Sequence, residues 1–345
     1  MSRRKLNLEE MEMNTYVDAN VSREALEKAC RKVMIQSGTV KEGEKVIILT
    51  DNETSPWIAH YMMKAANEAG AQPVIITMNK AVPGGGYLPE AVCEALKTAD
   101  LILSPTATSV YHSFGIKVAC NPPYHARYIS LSEINEDAMV NGGMTCDFDK
   151  IRPDIYKITD IWTKGSDFKF TTPAGTNFTA SIKGRTALND DGIVEKPGDF
   201  IGLPVSEVFL APIEASVNGT VVVDVMASGG VGIIKEPIKI TIENGKAIKI
   251  EGGEEAAKLR AILEEANHPN AYQVAELAVG MNPCCRVTGC VNEDEGIAGT
   301  GHIALGNSQF FGGLSDAPCH VDLVQDKPSI WIDGELIFKD GVQVV

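Results

Sequence analysis

The sequence predicts an α/β protein in two parts, a doubly wound parallel-sheet domain at residues 1–150 and an α+β domain at residues 151–345. Three observations predict this architecture. In the first part, short apolar runs alternate with amphipathic segments, as they do in βαβ units. Beyond residue 150, apolar strand-like runs are separated by glycine-rich turns. A chain of 345 residues also exceeds the size that one hydrophobic core usually serves.

The first part alternates helices and strands. An amphipathic helix is predicted at 23–35, and the run KVIILT at 45–50 is predicted to be a buried strand. Helices are also predicted at 56–69 and 88–98, and strands at 73–78, 101–104 and 128–131. The Pro-Gly-Gly-Gly loop at 83–86 has neither the GxGxxG nor the GxxxxGKS/T spacing, so no nucleotide site is predicted there.

The second part consists mainly of predicted strands. Asn244-Gly245 lies between two apolar runs and is typical of a tight hairpin. Helices are predicted at 254–265 and at 269–279, the second capped by His268 or Asn267. The strands are predicted at 171–176, 221–225, 238–242, 248–250, 302–305, 321–323, 330–333 and 335–338. This pattern favours an antiparallel α+β domain.

The charge balance excludes some classes of partner. The chain has 31 basic and 46 acidic residues and a formal net charge of −15, which argues against nucleic acid as a partner. The sequence has no run of 18 apolar residues, so no membrane span is predicted. The polar N-terminus lacks the apolar core of a signal peptide. We expect a cytoplasmic homodimer that acts on a small molecule or a short peptide. Its eight cysteines are expected to be reduced thiols.

A carboxylate or an imidazole interrupts each of four apolar runs in the second part. An isolated buried carboxylate is costly, so it is usually paired, protonated or bound to a metal. His320 and Asp322 lie two residues apart in a predicted strand, so their side chains face the same side. This spacing favours a shared cation, and the alternative is a His–Asp hydrogen bond in the core.

Three further candidate ligands lie in similar surroundings. His302 lies between glycines in the segment GTGHIALG at 299–306, where the alternative is a satisfied core histidine. Glu276 lies in AELAV at 275–279, where the alternative is the solvent-facing side of an amphipathic helix. Glu207 lies in LPVSEVFLAP at 203–212, where the alternative is a carboxylate at a strand edge. Together these residues predict one metal centre.

These segments resemble the signature blocks of the aminopeptidase T family of metallo-aminopeptidases. The blocks are GLPVSEVFLAP at 202–212, AELA at 275–278, HIALG at 302–306 and HVD at 320–322, and their order and approximate spacing match. The resemblance implies two divalent cations (zinc, cobalt or manganese) and hydrolysis of a peptide or amide bond. The metal ligands that it implies are Glu207, Glu276, His302, His320 and Asp322.

The resemblance also implies how the ligands divide between the ions. Glu207, His302 and Asp322 would hold one ion, with Glu276 bridging and His320 on the other ion. Asp322 is a second candidate for a bridging ligand. The pair of ions would lower the pKa of a bound water and polarise the scissile carbonyl.

Two residues outside this ligand set bear on the chemistry. His112, in the first part, is a candidate general base, and the alternative is a surface or capping histidine. Gln309 stands where the family has a tyrosine, seven residues after the first histidine. The interval between the two histidines is also shorter than in the peptidases.

The chain is also similar to the 2,5-dihydroxypyridine dioxygenases of the same superfamily, which use one iron(II) held by two histidines and an aspartate. His320 and Asp322 match the second histidine and the aspartate. Glu276 stands where the first histidine is placed, and His302 stands where the dioxygenases lack a ligand. This pattern favours hydrolysis as the expected activity. His302 or the nearby His268 is still a candidate for the remaining ligand of a facial triad. Iron(II)-dependent ring cleavage and a non-catalytic binding function are the alternatives.

Overall fold

The computed structural model describes residues 21–81, 88–111 and 113–345. The helices in these ranges are α1 (Arg23–Lys32), α2 (Pro56–Glu68), α3 (Glu90–Leu96), α4 (Phe114–Cys120), α5 (Glu136–Val140), α6 (Phe148–Lys164), α7 (Glu254–Glu265) and α8 (Val291–Asp294). A π-helical turn at Val33–Ser37 continues α1, and short 3-10 helices lie at Gly143–Thr145 and Gln309–Phe311.

The strands of the described ranges form three sheets. They are β1 (Lys45–Asp51), β2 (Gln72–Met78), β3 (Leu101–Thr106), β4 (Arg127–Ser132), β5 (Asp167–Thr171), β6 (Asn177–Ser181), β7 (Leu188–Asp190), β8 (Phe200–Gly202), β9 (Glu207–Leu210), β10 (Asn218–Val223), β11 (Met226–Ala227), β12 (Gly232–Ile233), β13 (Ile238–Glu243), β14 (Lys246–Glu251), β15 (Val274–Gly280), β16 (Thr300–Gly306), β17 (His320–Asp326), β18 (Ser329–Ile332), β19 (Glu335–Lys339) and β20 (Val342–Gln343).

Five strands form a parallel sheet in the order β2-β1-β3-β4-β8. Every residue of β3 and β4 is buried, as expected for a sheet that helices cover on both faces. One core contains Leu26 of α1 and Ile58 of α2, and a second contains Val92 of α3 and Ile116 of α4. Apolar burial on both faces therefore holds this sheet in place.

The strand order places a crevice at one edge of the parallel sheet. The chain leaves β1 for β2 on one side, and β3 lies on the other side of β1. In such sheets, ligands bind at the carboxyl ends of the strands where the order reverses. Asp51, at the end of β1, accepts the backbone N–H of Ala107 at 2.7 Å, and this bond ties together the two sides of the crevice.

The other two sheets are antiparallel and share one hydrophobic core. Their strand orders are β12-β11-β17-β16-β15-β9-β7 and β14-β13-β10-β6-β5-β18-β19-β20. Phe168, Phe170 and Phe178 stack in this core at centroid distances of 5.2 to 6.4 Å. Trp162 of α6 packs edge-on against Phe168 at 5.1 Å, and Leu259 of α7 belongs to the same core. One face of the seven-stranded sheet is thereby buried, and its other face is left for the site.

The α/β fold class predicted from the sequence is confirmed. The predicted helix at 254–265 coincides with α7. The predicted Asn244-Gly245 hairpin joins β13 to β14, and both residues have positive φ, 49° and 77°. Glycine and asparagine tolerate that conformation at the two central positions of such a turn.

Two predicted elements of the second part are wrong. The predicted helix at 269–279 is the strand Val274–Gly280, in which every residue is buried. A short, fully apolar run fits a buried helix and a buried strand equally well, and the neighbouring strands decide between them. The predicted strand at 171–176 is mostly the turn between β5 and β6, where Gly175 has a φ of 111°.

Other predictions have different outcomes. All eight cysteines are unpaired thiols, as expected. None of the helices in the described ranges has the length and apolar character to span a bilayer. The glycine loop at 83–86 lies outside the described residues. The domain boundary at residue 150 stays a prediction, although α6 runs across it and β8 pairs with β4 of the parallel sheet.

Candidate metal centre

Four neighbouring strands carry the five predicted ligands. β17, β16, β15 and β9 lie side by side, and alternate residues on each face the shared core. Val321 and Leu323 of β17 belong to that core, as do Ile303 of β16, Leu277 of β15 and Val208 of β9. Side chains alternate between the two faces of a strand. The residues that flank these core positions therefore face the opposite side, where the predicted ligands meet.

Small side chains leave room between the ligands. Ala304 of β16 lies opposite Asp322 on one side and Glu276 on the other. Ala278 lies opposite His302. A larger side chain at either alanine would occupy the face where the ligand atoms converge.

His320 contacts two carboxylates. Its Nε2 lies 2.9 Å from Glu276 Oε2 and 3.1 Å from Asp322 Oδ1. Its Nδ1 donates to the carbonyl oxygen of Asn307 at 2.7 Å. A hydrogen bond at one ring nitrogen fixes the imidazole and directs the other nitrogen towards a metal. His320 is therefore oriented as a ligand through Nε2.

Asp322 is held by Ser228, the residue directly after β11. The hydroxyl of Ser228 donates to Asp322 Oδ2 at 3.1 Å, and the backbone N–H of Asp322 donates to the same hydroxyl oxygen at 2.7 Å. Its other carboxylate oxygen, Oδ1, is the one beside His320. Such supporting bonds orient a ligand and tune its basicity.

His302 completes the predicted set. Its Nε2 lies 3.5 Å from Glu207 Oε2 and 4.0 Å from Glu276 Oε1. Three groups of residues each bring their potential ligand atoms within 4.8 Å of one another. They are Glu207, Glu276 and His302; Glu276, His320 and Asp322; and Glu295, His302 and Asp322. The structure therefore brings together all five predicted residues, while their role as ligands stays a prediction.

Glu295 is a sixth potential ligand that the sequence did not reveal. It caps the carboxyl end of α8 and joins His302 and Asp322 in one of the three groups. Its segment, VNEDEG at 291–296, is typical of a solvated acidic loop. Only the fold shows that this carboxylate turns inward.

Burial sets the protonation of the carboxylates. Burial, and then the charge of Glu276, raises the pKa of Glu207 well above its usual range. Burial, followed by the charges of Asp322 and Glu207, does the same for the pKa of Glu295. Without a cation beside them, both carboxyls therefore bind a proton more tightly than an exposed glutamate does.

The imidazoles differ in their basicity. Burial lowers the pKa of His302, which leaves it neutral and able to donate a lone pair. Burial also disfavours a charge on His320, but Asp322 and Glu276 outweigh it and raise the pKa of His320 well above its usual range. The same contact holds the pKa of Asp322 below its usual range, against the effect of burial.

The donor set fits a divalent cation. Glu207 Oε2 and His302 Nδ1 are buried and have no hydrogen-bond partner among the described residues. Unsatisfied buried polar atoms are costly, and a cation held by carboxylate oxygens would remove much of that cost. Carboxylate and imidazole donors suit iron, manganese, cobalt and zinc.

A cavity of about 770 Å³ opens over the cluster. The carboxyl edge of the parallel sheet provides one wall, including Thr108 after β3 and Glu133 after β4. Phe209 and Phe311 provide an aromatic wall and pack edge to face at 5.8 Å. Phe311 also packs edge-on against the His320 ring at 5.9 Å. A small aromatic molecule would fit against this wall, next to the cluster.

The remaining predicted residues have different positions. His268 lies in the turn after α7, where its Nδ1 accepts the N–H of Asn270 at 3.3 Å, and it belongs to none of the three groups. Gln309 lines the cavity. His112 lies outside the described residues, so its predicted role as a general base stays a prediction.

The sequence profile of the 2,5-dihydroxypyridine 5,6-dioxygenase (NicX) family matches residues 25–345. The chain belongs to this family. A family member from Pseudomonas putida KT2440, a 2,5-dihydroxypyridine 5,6-dioxygenase, is 28% identical over 182 residues. That alignment covers 49% of this chain and 51% of the relative, so it spans about half the length of the relative.

Two solved structures share the fold. The structure of 2,5-dihydroxypyridine dioxygenase from Pseudomonas putida KT2440 superimposes with a TM-score of 0.81 at 22% identity, over 94% of this chain and 98% of that one. AmpT from Thermus thermophilus superimposes with a TM-score of 0.71 at 16% identity, over 94% of this chain and all of that one. The predicted relations to the dioxygenases and to aminopeptidase T are thus both found at the level of fold. The family profile over residues 25–345 places the chain with the dioxygenases.

Proposed function

We propose that the chain is a metal-dependent dioxygenase that opens the ring of a small hydroxylated nitrogen heteroaromatic such as 2,5-dihydroxypyridine. The observation that carries the proposal is the family match over residues 25–345. The aromatic wall beside a buried ligand cluster supports it. This proposal replaces hydrolysis, which the sequence favoured, with the alternative that the sequence left open.

In this proposal, Glu276, His320 and Asp322 hold the metal. When bound, iron(II) supplies the electron transfer that lets dioxygen react with the aromatic ring. The carbonyl of Asn307 fixes the His320 ring, and Ser228 fixes the Asp322 carboxylate. These contacts prevent the two ligands from rotating away from the metal.

The rest of the cavity positions the substrate. The rings of Phe209 and Phe311 offer an apolar surface for a flat ring and exclude water from the reacting face. Burial raises the pKa of Glu207 and Glu295, and a cation bound beside them would displace their protons. Their carboxylates could then accept the proton of a substrate hydroxyl.

A second candidate function is hydrolysis of a small amide or a short peptide. The specific observation in its favour is the number of carboxylates. Glu276 with His320, and Glu295 with His302, form separate groups that share Asp322. Such a set offers donors for two divalent ions, and zinc, cobalt and manganese are the candidates. Two ions would activate a water molecule for hydrolysis, and this reaction does not consume dioxygen.

Oxygen consumption distinguishes the two functions. Metal-free protein is loaded with iron(II) without air, mixed with 2,5-dihydroxypyridine, and then exposed to dioxygen. The proposal expects one dioxygen consumed per ring opened, with both oxygen atoms of labelled dioxygen in the product. His320→Ala should lose bound iron and lower the rate by at least about 100-fold. His268→Ala, the same replacement outside the cluster, is the matched control and should change neither.

The opposite result is equally specific. Protein loaded with zinc, cobalt or manganese that cleaves amides in the absence of air, together with iron-loaded protein that consumes no oxygen, would overturn the dioxygenase proposal. The hydrolase would then take its place.

A further inference from the structure

Asp190 lies beside the candidate metal ligands without being one of them. It ends the short strand β7, where it pairs with Glu207 of β9. Residues directly opposite each other in an antiparallel pair project to the same face. The Asp190 side chain therefore lies next to Glu207, and Asp190 lines the cavity. None of the three ligand groups includes it.

One oxygen of Asp190 has a structural role and the other has none. Oδ2 accepts the backbone N–H of Gly202 at 2.8 Å and so holds β7 to the end of β8. Oδ1 is buried and has no hydrogen-bond partner among the described residues, and the residue as a whole is 3% exposed. A buried carboxylate oxygen without a donor is unfavourable. The bond to Gly202 explains why the residue is buried, but it leaves Oδ1 unexplained.

The charges around the cavity restrict what can supply the missing donor. Among the described residues that line it, the carboxylates are Glu133, Asp190, Glu207, Glu276, Glu295, Asp316 and Asp322, and the one lysine is Lys80. Lys80 is already paired with Glu53 at 2.9 Å. Divalent cations would neutralise part of this negative charge, but a ligand carboxylate would still meet repulsion. A neutral ligand with an N–H donor would not be repelled by these carboxylates.

We propose that Asp190 determines substrate specificity by accepting a hydrogen bond from the ring N–H of a hydroxylated nitrogen heteroaromatic. This inference rests on the proposed function and deepens it. 2,5-Dihydroxypyridine in its pyridone form presents such an N–H. A carbocyclic ring with the same two hydroxyls does not, and it would leave Oδ1 unsatisfied. Sites built to bond a substrate donor discriminate strongly against analogues that lack it.

Binding of three probes without oxygen tests the inference. The probes are 2,5-dihydroxypyridine, its carbocyclic analogue 1,4-dihydroxybenzene, and 2,5-dihydroxybenzoate, which adds a carboxylate. Calorimetry with the metal-loaded wild-type protein should give an affinity for the pyridine about ten-fold above that for dihydroxybenzene. Dihydroxybenzoate should bind most weakly.

Asp190→Asn then tests the residue itself. The asparagine carbonyl can still accept the N–H of Gly202, while its amide presents a donor where Oδ1 stood. Affinity for the pyridine should fall by about ten-fold, with less than about a two-fold change for dihydroxybenzene. Asp191→Asn is the matched control, because Asp191 bonds Arg152 at 2.9 Å instead of lining the cavity. It should leave all three affinities unchanged.

The outcomes separate this inference from the proposed function. Equal affinities of the wild-type protein for the pyridine and dihydroxybenzene overturn the role of Asp190, whether or not the variant folds. Equal losses for both probes in Asp190→Asn also overturn it, because they indicate a merely structural residue. Nitrogen-dependent binding without oxygen consumption leaves the role of Asp190 standing and overturns the dioxygenase. Failure of every probe to bind overturns both.

Discussion

His320 and Asp322 show how much a two-residue spacing can reveal. Their shared face follows from strand geometry alone, and the structure places their side chains 3.1 Å apart. The apolar surroundings of Glu276 also predict a buried carboxylate, although the element that carries it is a strand and not the predicted helix. Glu295 and Asp190 could not be recognised, because both lie in polar segments that resemble surface loops. Local composition identifies a buried charge only when its neighbours along the chain are apolar.

The protonation of these side chains predicts a pH-dependent metal affinity. The pKa values of Glu207, Glu295 and His320 are raised, so the metal-free centre binds protons more tightly than exposed side chains of the same types would. A cation must displace them, and raising the pH removes this competition. Metal affinity should therefore increase from about pH 6 to about pH 8, by about ten-fold per pH unit for each proton released.

Calorimetry in buffers of different ionisation enthalpy counts the protons released. His268→Ala, which changes a histidine outside the cluster, should release the same number as the wild-type protein. A metal affinity that does not vary over this pH range would show that metal binding displaces no protons from these side chains.

At the scale of elements, the pairing of β15 with its neighbours determines where Glu276 lies. The apolar run that contains Glu276 satisfied the expectations for a helix, and only its pairing with β16 and β9 makes it a strand. This pairing depends on residues distant in the sequence, which explains why local pattern could not reveal it. The alternating strand β17, in contrast, could be predicted within a residue or two of its start.

Gly301 sets how closely β16 packs on the shared core. A Cβ at this position would lie 2.8 Å from a ring carbon of Phe170 and 3.0 Å from the carbonyl oxygen of Ala278. Gly301→Ala should therefore destabilise the protein by about 1–3 kcal/mol through overpacking. Because His302 follows directly, the variant should also bind metal more weakly. Denaturant unfolding and metal titration measure the two effects.

A double-mutant cycle identifies the cause of that effect. Phe170→Leu removes the ring carbon, so Gly301→Ala should cost less in this background than in the wild-type protein. The same cost in both backgrounds would assign the effect to the backbone contact with Ala278 instead.

At the scale of the whole molecule, the fold class follows from the sequence but the cavity does not. The alternation of helices and strands was enough to predict α/β. The cavity forms where the carboxyl edge of one sheet meets a face of another, and neither half of the chain encodes that meeting locally. The family relation also needed the whole chain, because the candidate ligands alone are compatible with both a dioxygenase and a hydrolase.

The acidity of the whole chain predicts fast metal capture. A net charge of −15 and the seven carboxylates among the residues that line the cavity attract divalent cations over long range. Raising the ionic strength from about 0.01 M to about 1 M shortens the screening length from about 30 Å to about 3 Å. Cobalt association, followed by its absorbance in stopped flow, should slow by about ten-fold. Association of neutral 1,4-dihydroxybenzene is the control and should not change, and an unaffected cobalt rate would rule out steering.

The cavity has two walls of different origin. The side chains proposed to bind metal stand on β9, β15, β16 and β17 and on the turn after α8, while Thr108 and Glu133 come from loops that follow strands of the parallel sheet. Part of the cavity wall is thus encoded apart from the side chains proposed to hold the metal. Mutations in the loops of the parallel sheet can reshape that wall without changing the ligand cluster. A library restricted to those loops would vary the cavity while leaving the ligands, the aromatic wall and Asp190 unchanged.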